Sequence, residues 1–169
     1  SEDLGFINVH YAIAAATLLG GDVEVGYQYT GKPYVGRFEH VEDYDTCIEC
    51  HDAHSNARNP DQCSPCHLNV VDQADLREIR TSDVDYDGDG SVDEPIRDEV
   101  ASLADALYIA IQDYASQVAG QPIVHDADTF PYFFKDIDGG ELTFANQYDA
   151  WTPRLVRAAY NYHYFHEVP

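Results

Sequence analysis

Apolar residues recur with a helical period in several stretches of the chain. The clearest stretch predicts a long helix from about residue 96 to about residue 118, because its apolar positions fall three or four apart: Ile96, Val100, Leu103, Leu107, Ile111 and Tyr114. Thr152 and Pro153 are start signals for a last helix that ends near residue 167. Residues 8–19 predict a first helix, and a short helix is expected near 72–79.

Strand-like alternation is confined to residues 22–29 and 33–40, on either side of the turn sequence TGK. This pattern predicts a β-hairpin. Residues 44–71 contain few apolar side chains and read as a long loop. The pattern predicts one mainly α domain over residues 1–169, with a small β-hairpin and long loops. Its two parts are a loop-rich segment, 1–71, and a helical segment, 72–169.

The charge balance excludes several classes of partner. Thirty-one acidic residues face nine basic ones, which gives a formal net charge of −22. Nucleic acid binding requires Lys and Arg to neutralise phosphates, so it is not expected. The longest apolar run, residues 11–19, is too short to cross a bilayer, so no membrane insertion is expected. A strongly acidic surface favours cations as ligands.

All four cysteines belong to two copies of one motif, Cys-x-x-Cys-His, at residues 47–51 and 63–67. This motif is typical of covalent haem attachment. Two thiols at this spacing can each form a thioether with one porphyrin, and the adjacent histidine can bind the iron. The motifs predict two c-type haems: Cys47 and Cys50 with His51, and Cys63 and Cys66 with His67. In this region the haems would form part of the core.

Two other uses of the cysteines compete with haem. Two Cys-x-x-Cys pairs have the spacing of a zinc site, but zinc leaves unexplained why histidine follows the second cysteine each time. Two disulfides would have to be strained bridges within each motif or links across a short loop. Because bacteria attach haem covalently outside the cytoplasm, two haems would make the protein extracellular, cell-surface or periplasmic.

The second ligand of each iron is restricted by the absence of methionine, which removes His/Met ligation. Three histidines are candidate distal ligands: His10 on the first predicted helix, His40, and His54. Because His54 follows His51 by three residues, it would reach the neighbouring haem rather than its own. His163 and His166, one turn apart on the last helix, read as a surface pair, and His125 reads as structural.

A second motif is the acidic segment at residues 83–95, DVDYDGDGSVDEP. It fits a calcium loop in two registers, one starting at Asp83 with Glu94 at the twelfth position and one starting at Asp85. The calcium candidates are Asp83, Asp85, Asp87, Asp89, Ser91, Asp93 and Glu94. A solvated acidic turn is the alternative. A second and weaker calcium candidate consists of Asp136, Asp138 and Glu141, for which a turn without an ion is an equally good interpretation.

These stretches together resemble a known family. GFINVHYAIAAATLLGG, GRFEHVEDYDTCIECHDAHS, DYDGDGSVDEPIRDEV and WTPRLVRAAYNYHYF are similar to segments of the outer-membrane and extracellular multihaem c-type cytochromes of metal-respiring bacteria. The resemblance implies closely packed bis-histidine haems and electron transfer to extracellular acceptors, to other cytochromes or to copies of the same chain. Some relatives form filaments.

Three functions are compatible with these features. The first is an electron carrier with two bis-histidine haems, which is not an enzyme. The second is a polymerising filament subunit or a module of a larger outer-membrane conduit, which is compatible with the first. The third is a dihaem peroxidase or reductase, which needs an open iron position and distal acid–base groups. No such catalytic constellation is visible in the sequence.

Overall fold

A computed structural model describes Phe6, Ala16, residues 18–55 and residues 57–167. The fold is mainly helical, with 40% of residues in helices and one small two-stranded antiparallel sheet, which confirms the predicted class at this level. The chain divides into two compact units. The first unit comprises Ser1–Gly36 and Ala104–Pro169, and the second comprises Arg37–Leu103.

The regular elements follow one another in a simple order. Within the described ranges, the α-helices whose bounds are defined are Cys47–Cys50, Pro60–Cys63, Ile96–Tyr114 (the long helix) and Pro153–Glu167 (the last helix). Residues 16, 18 and 19 are also helical. Short 3₁₀ turns occupy Gly20–Val23, Asp75–Glu78 and Phe144–Asn146, and a π-helical turn, Ala115–Ala119, extends the long helix. The strands are Ile123–His125 (β1) and Phe133–Lys135 (β2). No described helix is long and apolar enough to cross a membrane.

Both long helices begin and end where the sequence predicts. The Oγ1 of Thr152 accepts the N–H of Leu155 at 3.2 Å, so the hydroxyl satisfies one of the unpaired donors at the start of the last helix. Gly120 ends the extended long helix with a φ of 79°, and its N–H bonds to the carbonyl of Ala115. Glycine adopts this left-handed conformation without steric cost.

The hairpin predicted over residues 22–40 is wrong, because this segment contains no strand. The backbone of Tyr27 bonds instead to a side chain of the last helix: its N–H donates to Asn161 Oδ1 at 2.6 Å, and its carbonyl accepts from Asn161 Nδ2 at 3.0 Å. The hydroxyl of Tyr160 likewise donates to the carbonyl of Val25 at 2.9 Å. The last helix therefore takes the place of a partner strand.

The sheet that does form lies after the long helix. β1 and β2 pair antiparallel, with Ile123 opposite Lys135 and His125 opposite Phe133. Ile123 and Phe133 face the core of the first unit and are almost fully buried. This core also contains Ile111, Ala115, Tyr148, Trp151, Leu155 and Ala159. The hydroxyl of Tyr148, also in this core, donates to the carbonyl of Gln121 at 2.9 Å, as expected for a buried tyrosine.

The second unit has almost no hydrophobic core of its own. Among its described residues, Val70 is the one buried apolar side chain, and Glu99 is the one buried charged side chain. Several large apolar side chains of this unit are exposed instead, including Phe38, Val41, Ile48, Leu68 and Val71. A unit of this size normally needs a buried apolar interior, or a substitute for one, to be stable.

Candidate functional site

The first cysteine motif is shaped by a single helical turn that begins at Cys47. The carboxylate of Glu49 accepts the N–H groups of Asp45 at 2.8 Å and Thr46 at 2.7 Å, which caps the start of this turn. These hydrogen bonds lower the pKa of the Glu49 carboxyl, and the one from Thr46 contributes most. The turn ends where the N–H of His51 bonds to the carbonyl of Cys47 at 2.9 Å.

The second motif begins at the last residue of a short helix, Pro60–Cys63, and continues as a turn. Asn59 accepts the N–H of Asp61 at 3.2 Å, and Pro60 occupies the first helical turn. After this helix, the N–H of His67 bonds to the carbonyl of Cys63 at 2.9 Å. Each motif thus closes one turn from its first cysteine to its histidine. Residues three apart on a helical turn are neighbours on its surface, so the two cysteines of each motif are spaced to bind one group.

All four thiols are free, and Cys47 and Cys66 are exposed. Burial first, then the neighbouring Cys63, Glu49 and Cys47, raises the pKa of the Cys50 thiol. All four cysteines are described, yet no group of three metal-ligating side chains that includes a cysteine converges in the described part of the chain. The zinc alternative requires four such ligands at one point.

The candidate distal ligands have different surroundings. The ring of His40 lies 6.0 Å from the ring of His67, centroid to centroid, with 36° between their planes. Because a metal–imidazole bond is about 2 Å long and a ring nitrogen lies just over ~1 Å from the ring centre, two imidazoles on opposite sides of one metal have centroids roughly 6 Å apart. His40 and His67 are therefore close enough that they could hold one metal ion between them.

His54 and His10 receive no comparable support. His54 is exposed, and its N–H is held by the carboxylate of Asp52 at 3.0 Å, which also accepts from Ser55. In the described part of the chain, His54 is not in ring contact with His51 or His67. His10 lies outside the described residues.

The acidic loop brings three of its predicted calcium ligands together. Carboxylate oxygens of Asp85, Asp87 and Asp89 lie within 4.8 Å of one another. Asp85 accepts the N–H groups of Gly88 at 2.6 Å and Gly90 at 2.9 Å. Asp83 is exposed and is not part of this group. The arrangement corresponds to the register that begins at Asp85.

The side chain of Glu94 is an independent indication that the loop can bind a cation. Its Oε1 atom is buried and has no hydrogen-bond partner. Burial, followed by the charges of Asp89 and Asp87, raises the pKa of Glu94. A buried carboxylate oxygen without a partner is costly unless a cation or donor meets it. The residues therefore fit Ca²⁺, which prefers several flexible carboxylate ligands.

The remaining predicted ligands of the acidic loop lie at its end. Asp89 accepts the N–H of Ser91 at 2.7 Å, and Ser91 Oγ accepts the N–H of Asp93 at 3.4 Å. The weaker calcium candidate is different: its three carboxylates, Asp136, Asp138 and Glu141, are exposed and do not form a converging group within the described chain.

A buried ion pair that the sequence analysis missed supports the acidic loop. The side chain of Glu99 is fully buried, forms an ion pair with Arg80 and accepts the N–H groups of Tyr86 and Asp87. Burial acts to raise the pKa of Glu99, but the Tyr86 N–H and the Arg80 guanidinium outweigh it and lower the pKa. Glu99 follows Ile96 by three residues on the apolar face, a position where an acid needs a partner.

Comparisons of this chain with protein-family models, with curated proteins and with solved structures found no match. The geometry of the two cysteine motifs, the His40–His67 pair and the acidic loop is therefore what bears on function.

Proposed function

We propose that this protein is an exported electron carrier that holds two c-type haems. Cys47 and Cys50 would anchor one haem, with His51 as its proximal ligand. Cys63 and Cys66 would anchor the other, with His67. The iron centres would supply one-electron transfer, while the chain sets their spacing, their axial ligands and their exposure to water.

The observation that carries this proposal is the repeated turn. In both motifs the N–H of the histidine bonds to the carbonyl of the first cysteine at 2.9 Å. Two thiols three residues apart, followed directly by an imidazole, are the groups that covalent haem attachment requires. A disulfide framework has no need of either histidine, and the four thiols are free.

The missing core of the second unit supports the same conclusion. Ile48 and Leu68 are 75% and 84% exposed, and each lies within or directly after a cysteine motif. These exposed apolar side chains, one at each motif, are available for a bound group to cover. Porphyrin rings attached at these motifs would cover apolar surface and provide the interior that the polypeptide lacks.

The pairing of His40 with His67 supports bis-histidine ligation of the second haem. A six-coordinate iron with two imidazoles exchanges electrons but offers no position to a small substrate, so this ligation favours a carrier over an enzyme. The acceptors would be extracellular oxidants, other cytochromes or copies of this chain. A filament subunit or a module of a larger conduit would use the same haem sites.

The mass of the mature protein tests the haem proposal. We expect the bare polypeptide plus two covalently bound haems, and we expect the variant Cys47→Ala/Cys50→Ala to retain one. The matched control Ser64→Ala changes a residue between two cysteines without removing a thiol and should retain both haems. A mature protein with the mass of the bare chain would contradict the proposal.

Carbon monoxide separates the carrier from a dihaem enzyme. We expect the reduced protein to show no spectral change when carbon monoxide is added, because two imidazoles would hold each iron. Binding of one equivalent would reveal an open position and favour the peroxidase or reductase alternative. Particle size at neutral pH, with calcium present, would distinguish a single carrier from a filament.

We further propose that the acidic loop binds one structural Ca²⁺ through Asp85, Asp87 and Asp89, together with the unpartnered oxygen of Glu94. The backbone carbonyl and side chain of Ser91 and the carboxylate of Asp93 are available at the end of the same loop. Neutralising these carboxylates would stabilise the second unit.

A further inference from the structure

Residues 37–45 carry His40 and form a loop, the His40 loop, whose two ends are joined by one side chain. The guanidinium of Arg37 donates to the backbone carbonyl of Asp45 at 3.0 Å and lies 3.6 Å from the Asp45 carboxylate. The two residues are eight positions apart in the sequence. The contact therefore brings the start of the loop to its end.

A tight turn follows His40 within this loop. The N–H of Tyr44 bonds to the carbonyl of Val41 at 2.9 Å, and Asp43, in the middle of the turn, has a φ of 72°. Aspartate tolerates this left-handed conformation better than most residues, but at some cost. Backbone strain of this kind persists where the surrounding contacts hold the chain in place.

The end of the His40 loop is attached to the first cysteine motif. The N–H of Asp45 donates to Oε2 of Glu49 at 2.8 Å, and the same oxygen accepts the N–H of Thr46 at 2.7 Å. These bonds form the cap of the helical turn Cys47–Cys50. Arg37 thus ties the start of the loop to a backbone that this cap already fixes.

Polar contacts, rather than burial, hold the His40 loop in shape. Its apolar side chains Phe38 and Val41 are 59% and 51% exposed, so they add little restraint. In this arrangement the ring of His40 lies 6.0 Å from that of His67. A ligand that is held near its partner before binding loses less conformational freedom when it binds, so it binds more tightly.

We propose that Arg37 is a positioning residue, which closes the His40 loop on the cap of the first motif and so holds His40 beside His67. The inference rests on the proposed ligation of one iron by His40 and His67. It gives the surroundings of the first motif a role at the second haem. The Arg37–Asp45 ion pair is exposed and contributes little, so the bond to the Asp45 carbonyl carries most of the effect.

Cyanide titration of the oxidised, haem-loaded full chain tests the role of Arg37. Cyanide can take the distal position only while the imidazole is away from the iron, so its apparent affinity rises as the imidazole binds less tightly. We expect Arg37→Ala to raise the affinity of one site per chain by about tenfold. We expect Arg37→Lys, which keeps the charge and a donor, to raise it by less than about threefold.

Arg77→Ala is the matched control. It removes an exposed arginine from the same unit and should bind cyanide as the unaltered protein does. Arg37 is exposed too, so its substitutions are compatible with folding. Circular dichroism and the count of two haems per chain check that the variants keep the fold.

A double-variant cycle shows whether Arg37 acts through His40. We expect His40→Ala to raise cyanide affinity by more than Arg37→Ala does, and we expect Arg37→Ala to have no further effect in the His40→Ala background. If His40→Ala raises the affinity but Arg37→Ala does not, or if the two effects add in full, the role of Arg37 is overturned while the ligation by His40 stands. If His40→Ala leaves the affinity unchanged, the proposed ligation fails, and the role of Arg37 fails with it.

Discussion

At the scale of single residues, three of the described histidines lie in three different environments. The ring of His40 lies 6.0 Å from that of His67, His54 is exposed, and His163 is buried against His125. His163 is fully buried, contrary to the expectation that it belongs to a surface pair. The side chains are chemically the same, so their positions in the fold separate a candidate iron ligand from a surface group and from a buried donor.

The role of His40 can be tested directly. We expect His40→Ala to convert one of two low-spin irons to a form that binds one equivalent of carbon monoxide after reduction, because the iron held by His67 loses its second imidazole. Magnetic resonance and carbon monoxide titration measure this. Tyr44→Phe changes a ring that also contacts His40 but is no candidate ligand, and it should leave both irons low-spin. Two low-spin irons in His40→Ala would assign the distal position to another histidine.

The raised pKa of Tyr148 predicts that the folded state loses stability at alkaline pH. Burial, with a smaller contribution from Asp149, raises the pKa of Tyr148 to about 12, whereas the unfolded value is about 10. The folded state keeps the Tyr148 proton up to a higher pH than the unfolded state does. The contribution of this difference to the stability of the fold is therefore complete below pH 10 and is lost as the pH rises toward 12. Thermal unfolding across this range should show a shallower decline for Tyr148→Phe. A decline as steep as in the unaltered protein would contradict the assignment, and the exposed Tyr86→Phe serves as control.

At the scale of elements, residues 22–40 alternate between apolar and polar positions but do not form a hairpin. A strand needs its backbone groups to pair with another strand. Asn161 and Tyr160 on the last helix already satisfy the backbone of Tyr27 and Val25. The competing partners lie more than 130 positions away in the sequence, so no local pattern could have indicated them.

Asn161→Ala tests this explanation. It removes both bonds to the Tyr27 backbone, and we expect it to lower the free energy of unfolding by about 1–3 kcal/mol, since each lost partner leaves a partly buried polar group unpaired. Chemical unfolding measures the change. Asn146→Ala removes a single exposed bond to the carbonyl of Glu141 and should cost less than about 0.5 kcal/mol. Equal effects of the two variants would argue against the role of Asn161.

The acidic loop offers a test of its register. We expect Ca²⁺ to raise the thermal midpoint of the protein, and we expect Asp85→Asn to weaken Ca²⁺ binding by at least about tenfold, because Asp85 belongs to the converging group and charge count sets affinity. Asp83→Asn removes the same charge outside that group, so its affinity should change by less than about threefold. Titration of the two variants decides between the registers, and a larger effect at Asp83 would favour the register that begins there.

At the scale of the whole molecule, the charge balance predicts how encounters with partners depend on salt. A net charge of −22 in 169 residues attracts cationic partners from a distance, and salt screens this attraction. We expect the rate of reduction by a cationic electron donor to fall by about tenfold or more between low and physiological ionic strength. A neutral donor of similar potential is the control. Rates that do not depend on salt for either donor would show that charge does not steer the encounter.

The sequence by itself determined the features that depend on near neighbours. The two long helices follow from apolar spacing and end signals, and each cysteine motif acts within five consecutive residues. The acidic loop likewise depends on carboxylates two positions apart. Short-range geometry is nearly the same in every fold, so local patterns are enough to predict these features.

Only the tertiary structure decided which distant groups meet. It placed His40 beside His67, Arg80 against Glu99, and His125 against His163, and it replaced the predicted hairpin with a sheet after the long helix. The three side-chain contacts join residues that are 27, 19 and 38 positions apart, and they depend on how whole elements pack. Packing is determined by all the burial and hydrogen bonding of the chain together, and no single stretch of sequence contains that information.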